Sequence, residues 1–301
     1  MADTTGQADI RGLDINKLAT GFAEEFPSPL RSIIRSSTTS ARELRWWKKT
    51  AGFIDTTDTT GMTASRIGYQ AEGSLPEVIY QTMTRQTSYI KIFKAASQSI
   101  SEEDKKDSDP DIYAAHIRDI VRAIQRQVEQ RIYDVIGEAT TSGTPNPTLV
   151  PTAGATADGW NDTATGDPIA DINAGLESLK LYSWGVDNVY LCINQAEEKH
   201  LKNYIINVKG SSIPNYSSDQ VTKSNVMEIL GCKVVVSPLF TTDWALMLTP
   251  AAAVWKSFMP QKTNEVYDEI TGTYRIVSKE SGECLLENPT AAYWISDTIV
   301  G

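Results

Sequence analysis

The stretch from Ser101 to Gly137, SEEDKKDSDPDIYAAHIRDIVRAIQRQVEQRIYDVIG, constrains the fold of this chain more than any other. Ile117, Ile120, Val121, Ile124, Val128, Ile132, Val135 and Ile136 recur in steps of three and four, which lays them on one helix stripe. Arg118, Asp119, Arg122, Arg126, Gln127, Glu129 and Arg131 fall on the opposite face, which reads as solvated. Ser108 or Asp109 is suited to cap the N-terminus, its side-chain oxygen accepting from a backbone N–H of the first turn. Pro110 then sits where a missing N–H costs nothing, and Asp107, Asp109 and Asp111 crowd the positive end of the helix dipole. No Gly or Pro interrupts the pattern before Gly137, the expected stop. At 1.5 Å per residue the helix runs roughly 40 Å, well beyond the mean of about 11–12 residues. Such a helix also suits a large α/β enzyme, so the flanking segments decide.

Residues 1–40 are polar and irregular: LDINKLATGFAEEF reads as a short helix ended by Pro27 and Pro29, and SSTTSA follows. This predicts an extended arm with little core of its own. Residues 41–98 open with Trp46 and Trp47, pass through the turn-forming DTTDTTGMTAS, and continue rich in β-branched and aromatic residues. Tyr89, Lys91 and Phe93 alternate with Ile90, Ile92 and Lys94, so the segment reads as a long β-hairpin. It holds too few core residues to be stable alone and must lie on the rest of the molecule or on a neighbour. Residues 139–167 are a Thr-, Gly-, Pro- and Ala-rich connection. An α/β texture follows. Asp167–Leu181 reads as a helix with Asp167 as its cap, Asn188–Ile193 as a buried strand, and Gln195–Ile206 as a second helix. VMEILGCKVVVSPLF reads as strand, glycine turn and strand. Further strand-like runs reach the end, with turns expected at Thr271-Gly272 and Ser281-Gly282 and Pro289 ahead of the last strand.

A chain of 301 residues is long enough for two core-forming regions. Its 41% hydrophobic and 22% charged residues describe a folding chain. The net charge of -10 argues against a dedicated nucleic-acid binder, although Arg42, Arg45, Lys48 and Lys49 make a local basic patch. Cys192, Cys232 and Cys284 lie in apolar runs without CxxC pairing and read as buried thiols, with a single disulfide as the alternative. The first residues, MADTTGQADIRG, lack a basic-then-apolar signal pattern. No apolar run approaches ~18 residues, so no membrane span is expected, and the chain reads as soluble and made in a cytoplasm.

Site motifs are missing. GxxxxGK[ST] and GxGxxG do not occur, nor do HExxH and GxSxG. His116 and His200 lie in expected helices without motif partners, and no zinc spacing links them to the cysteines. The acidic run Glu102 to Asp111 lacks the EF-hand pattern and suits helix capping instead, and Asp55 and Asp58 suit a solvated turn. No catalytic, cofactor-binding or metal residue is therefore assigned. The scattered tryptophans read as core or interface anchors.

The order of parts is polar arm, β-excursion, long helix, α/β insert and returning strands. It resembles the major capsid proteins of tailed double-stranded DNA viruses, the Hong Kong 97-type fold. The resemblance rests on SQSISEEDKKDSDPDIYAAHIRDIVRAIQRQVEQRIYDVIG as the passage from extended loop to spine helix, and on ADINAGLESLKL with NVYLCINQAEEKHLKN as helix–strand–helix. VMEILGCKVVVSPLF as a leucine–glycine element and NPTAAYWIS as closing strand complete it. It implies an α+β chain with an N-terminal arm (1–40), an extended β-hairpin loop (41–98), a peripheral domain with the spine helix (99–165), an axial domain (166–249) and peripheral return strands (250–301).

The resemblance implies a structural protein, not an enzyme. Copies would self-associate as hexamers and pentamers of an icosahedral virion shell, assembled in a host cytoplasm around packaged double-stranded DNA without sequence-specific binding. A portal, a separate scaffolding protein and decoration proteins are the implied further partners. The hairpin side chains expected to be buried between subunits are Trp46, Trp47, Tyr69, Ile79, Tyr80, Tyr89, Ile90, Ile92 and Phe93, at roughly 1.5–3 kcal/mol for each large side chain fully buried. Some relatives crosslink lysine to asparagine from the extended loop. Residues 51–89 contain no lysine, so no such bond is expected here. The alternative within the same fold is an encapsulin-like nanocompartment enclosing protein cargo; outside it, an α/β hydrolase or transferase with a cryptic site.

Overall fold

The computed structural model describes residues 29–51, 71–75, 82–107, 112–155, 159–162, 164–181, 188–208 and 228–299. The chain divides into two compact units. The larger takes residues 26–91, 128–258 and 281–301, and the smaller takes 92–127 and 259–280 together with residues 1–25, which lie outside the described set.

The centre of the larger unit is a six-stranded mixed sheet. In spatial order it comprises β6 (Thr152–Gly154), β13 (Ala292–Ser296), β10 (Trp244–Leu248), β7 (Tyr190–Ile193), β9 (Cys232–Val236) and β8 (Glu228–Ile229). β7 and β9 are parallel, with Tyr190 opposite Lys233, while β10 is antiparallel to both β7 and β13. Helix α4 (Pro168–Leu181) begins where the sequence indicates: the Asp167 carboxylate accepts from the backbone N–H of Ile169 and of Ala170, each at 3.1 Å. Its Ile172, Leu176 and Leu179 pack with Leu191, Ile193, Met247, Tyr293 and Ile295 of the sheet. Gly175 allows the close approach, since a Cβ there would lie 2.3 Å from the Met247 sulfur. Helix α5 (Gln195–Asn203) is capped by Asn194 and contributes Leu201 to the same core. Because side chains alternate across a strand, Trp294 points the other way from Tyr293 and Ile295. It meets Tyr133 edge-on at 5.6 Å and donates from its indole nitrogen to the Ile136 carbonyl at 3.3 Å. The sheet is therefore covered on both faces, which explains the nearly continuous apolar run Trp244–Leu248.

The long helix is α3 (Ile112–Ile136). Its stripe is sealed toward its C-terminus, where Val128, Ile132, Tyr133 and Ile136 are buried. In the smaller unit Ile124 is buried while Ile117, Ile120 and Val121 are only half-covered. The capping residues Ser108 to Asp111 lie outside the described set. Two corrections apply to its polar face. Glu129 is buried because its carboxylate accepts from the backbone N–H of Leu30 (2.9 Å) and Arg31 (3.1 Å), capping α1 (Pro29–Ile33). Arg131 is half-covered because it pairs at 2.9 Å with Glu283, a residue without solvent exposure. The helix ends at Ile136, so Gly137 is its stop as expected, and the left-handed turn falls one residue later. Glu138, not Gly137, takes the left-handed conformation (φ 49°), and its carboxylate accepts from the backbone N–H of Leu149 and Val150.

Two other segments depart from the sequence reading. Pro29, read as a helix terminator, starts α1, and Leu30, Ile33 and Ile34 are buried. Residues Arg35–Thr38 form β1, parallel to Val254–Ser257 of β11 (Ala253–Asp268). A PLRSII run thus carries core, because the apolar residues recur at helical spacing right after a proline suited to a first turn. Ser281-Gly282 makes no turn: β12 (Thr273–Leu286) runs straight through it. Gly282 is there because a Cβ would lie 2.4 Å from the Trp255 ring and 2.8 Å from the Lys256 carbonyl oxygen. The closing strand NPTAAYWIS forms β13, which pairs with β10 inside the six-stranded sheet and is buried on both faces.

In the smaller unit β12 pairs with β5 (Ile100–Ser101) and neighbours β4 (Lys91–Ala96) and β11. Thr271-Gly272 forms the expected turn between β11 and β12. Helix α2 (Glu102–Asp107) follows β5, with the Ser101 hydroxyl accepting from the Asp104 N–H. The three cysteines are free and buried. Burial pushes the Cys232 thiol up to about 11 and raises Cys192 and Cys284 as well, so none is a ready nucleophile. No helix among the described residues is long and apolar enough to cross a membrane.

Candidate assembly surface

Among the described residues, strands β2 (Glu43–Ala51) and β3 (Thr82–Tyr89) pair only with each other, as an antiparallel ribbon with Glu43 opposite Tyr89 and Trp47 opposite Arg85. The strand period of two divides the ribbon into two faces. Leu44 is buried, and Trp46, Gln86 and Ser88 are half-covered, so that face rests on protein. The other face carries Arg45, Trp47, Arg85, Thr87 and Tyr89, all exposed, with Trp47 at 64% and Tyr89 at 62%. Two large aromatic residues on one uncovered strand face are costly in water and make that face a candidate interaction surface. The charges there are ordered: the Arg45 guanidinium bonds the Glu43 carboxylate at 2.6 Å. That bond, more than the charges of Arg45 and Arg85, holds the Glu43 carboxyl below its usual range against the opposing effect of burial.

In the smaller unit, Ile92 is exposed at 68% and Phe93 is half-covered. The end of β11 and the turn after it carry a further apolar group that the sequence reading missed: Val266 and Tyr267 on the strand and Ile270 in the turn, the last 96% exposed. The available signal was an isoleucine inside the polar turn DEITG, where a polar residue costs less. Side-chain bonds hold this turn. The Asp268 carboxylate accepts from the Ile270 N–H at 3.0 Å and from the Thr271 hydroxyl at 2.9 Å, and both bonds hold it below the usual carboxylate range. The Gly272 carbonyl accepts from the Glu102 N–H at 3.1 Å. Lys105 lies 3.8 Å above the Tyr274 ring and pairs with Glu265 at 3.1 Å, while Tyr267 stacks on Tyr274 at 4.7 Å.

Of the hairpin residues singled out from the sequence, the ribbon separates Trp47 and Tyr89 on the open face from Trp46 and the half-covered Ile90. Tyr69, Ile79 and Tyr80 lie outside the described residues. The buried titratable groups do other work. Glu197 accepts from the Asp243 N–H at 2.6 Å, and burial raises its carboxyl, as it does for Glu283. Among the described residues no group of His, Cys, Asp or Glu side chains is arranged to hold a metal. Polar side chains converge on the α2 surface groove of Ser101, Glu102, Lys106 and Thr271, but they bond each other or the neighbouring backbone.

The architecture of sheet, spine helix and two-stranded ribbon is the Hong Kong 97-type α+β capsid fold. It is similar to the capsid of the cyanophage P-SCSP1u (12% identity, TM-score 0.68, 95% of this chain and 92% of that one). The capsid of a native GTA particle also aligns (10% identity, TM-score 0.66, 100% of both chains), as does the mature capsid of bacteriophage PhiM1 (15% identity, TM-score 0.63, 93% and 89%). No curated protein matches the chain. The family of phage capsid proteins matches residues 85–293, well over half the chain, and the chain belongs to that family. It is a major capsid protein of tailed-phage type, a structural component of the virion shell that self-associates, and not an enzyme.

Proposed function

We propose that copies of this chain assemble as hexamers and pentamers into a closed icosahedral shell around packaged double-stranded DNA, which the wall encloses without reading its sequence. Membership in the phage capsid family supports a shell role. The observation that carries the subunit-to-subunit reading is the ribbon face with Trp47 and Tyr89 uncovered. In a shell, these residues, with Trp46, Ile90, Ile92 and Phe93 and the hairpin residues Tyr69, Ile79 and Tyr80, become buried against neighbours. Residues 166–249 act as the axial domain at ring centres, 99–165 and 250–301 as the peripheral domain, 41–98 as the extended loop and 1–40 as the arm. A portal, a separate scaffolding protein and decoration proteins complete the particle, built in the host cytoplasm. The net charge of -10 suits a wall that repels its contents more than it grips them.

Light scattering with negative-stain imaging of the purified protein tests this. Closed shells, or rings of five and six, are expected, with nuclease-protected DNA in particles purified from infected cells. A 33.1 kDa monomer that never assembles, even when concentrated or supplied with the cognate scaffold, overturns it. Protein cargo in place of DNA overturns the viral part of the reading.

A further inference from the structure

We infer that Glu197 is a proton-operated latch on the segment Asp297–Ile299: its carboxyl ties that segment to the turn at Asp243 while protonated, and the segment opens as pH rises. This goes beyond the shell reading and does not depend on it.

The geometry carries it. Glu197, in the first turn of α5, has no solvent exposure. Its Oε1 accepts from the Asp243 N–H at 2.6 Å and from the Thr298 hydroxyl at 3.4 Å. The Asp243 carboxylate accepts in turn from the Ile299 N–H at 2.9 Å, and the Asp243 carbonyl from the Thr298 N–H at 3.4 Å. The Thr298 carbonyl accepts from the Trp160 N–H at 2.7 Å, and Gly159 bridges to Ile299. One buried carboxyl therefore joins the turn before β10 to the segment after β13. That segment in turn holds the loop of Trp160, whose indole donates to Asp171 of α4 at 2.7 Å.

Charge makes the tie conditional. The second oxygen of Glu197, Oε2, is buried with no hydrogen-bond partner among the described residues. The titratable groups around it supply no positive charge. Asp243 faces it from the turn before β10, and Tyr133 from α3, where burial pushes the phenol up to about 12. Asp297, in the latched segment, accepts from the Ser296 hydroxyl. On α5 itself Glu198 pairs with Lys202 at 2.8 Å, and burial holds the His200 ring below its usual range. An ionised Glu197 is thus a buried charge near a second carboxylate, with only hydrogen bonds to offset its lost hydration. Burial raises its carboxyl, against the bonds that lower it. Opening that admits water restores an ordinary carboxyl. The closed state has its full advantage below the solvated pKa, and loses it as pH rises to the buried one, by up to about tenfold per pH unit.

Hydrogen exchange of the full chain, read by mass spectrometry between about pH 5 and about pH 8 and corrected for the intrinsic rate, tests this. The amides of Asp243 and of residues 297–299 should open about tenfold or more often at the upper end. Those of β10, Ala245–Leu248, should keep constant protection. Glu197→Gln retains the Oε1 acceptor but cannot ionise, so the segment should keep its low-pH protection throughout. Thr298→Val removes one bond without touching the charge, and should raise opening by the same factor at every pH. A flat corrected profile in the unsubstituted chain overturns the inference, and so does a slope that survives Glu197→Gln.

Discussion

The six-stranded sheet and the β2–β3 ribbon are both built of paired strands, one of continuous apolar runs and one of alternating residues, and they have opposite energetics. In the sheet, both faces of β10 and β13 are covered, and Trp294 is wholly buried between Tyr133 and Trp244. In the ribbon, only the Leu44 side is covered, and Trp47 remains 64% exposed. Trp294 in the sheet stabilises the subunit itself; Trp47 in the ribbon contributes little burial to it. A shell protein needs both: a body that folds before assembly and a surface that is satisfied only after it.

The comparison breaks most sharply at its two tryptophans. Trp294→Ala empties a fully covered site and should cost the isolated subunit about 3–5 kcal/mol, read as a lower denaturant midpoint. A loss below about 1 kcal/mol would show that the sheet is less well packed than its burial indicates. Next comes Gly282→Ala, which pushes a Cβ into the Trp255 ring and the Lys256 carbonyl. Overpacking of this kind costs about 1–3 kcal/mol, and thermal melting of the purified subunit measures it. Trp47→Ala should change subunit stability by less than about 0.5 kcal/mol, as for exposed sites, yet reduce particle yield. Equal losses in both assays would mean that Trp47 belongs to the subunit core.

pH sharpens the contrast further, with a smaller effect. Burial raises the Glu197 carboxyl above its unfolded value, so the folded state holds its proton more tightly. That contribution to stability is fully present below the unfolded pKa and is lost as pH rises through the folded one. Glu43 on the ribbon is shifted downward instead, so its contribution is present above the unfolded pKa and fades as pH falls through the folded one. Glu197→Gln keeps an acceptor for the Asp243 N–H and should flatten the decline of melting temperature between mildly acidic and neutral pH. An unchanged slope would assign that decline to other groups. The smallest expected change is none: boiled particles should run as single 33.1 kDa chains, since residues 51–89 have no lysine for a covalent link, and a high-mass ladder would refute this.

Much of the local structure was legible in the sequence, because local rules set it. The step of three and four fixed α3, the Asp167 carboxylate fixed the start of α4, and Leu230-Gly231 fixed the turn before β9. The missing catalytic motifs were equally readable. What only the tertiary structure decided lies where one residue answers to a distant one. Glu129 and Arg131 looked solvated until α1 and Glu283 came within bonding distance, some 100 and 150 positions away in the chain. Gly282 looked like a turn until Trp255 crossed it on the adjacent strand. Trp46 and Trp47 are neighbours with the same side chain, and only the pairing of β2 with β3 over a covered surface left one of them half-covered and the other exposed. Composition and spacing specify elements through short-range geometry. Which face of each element is buried is settled by long-range packing, which no local pattern encodes.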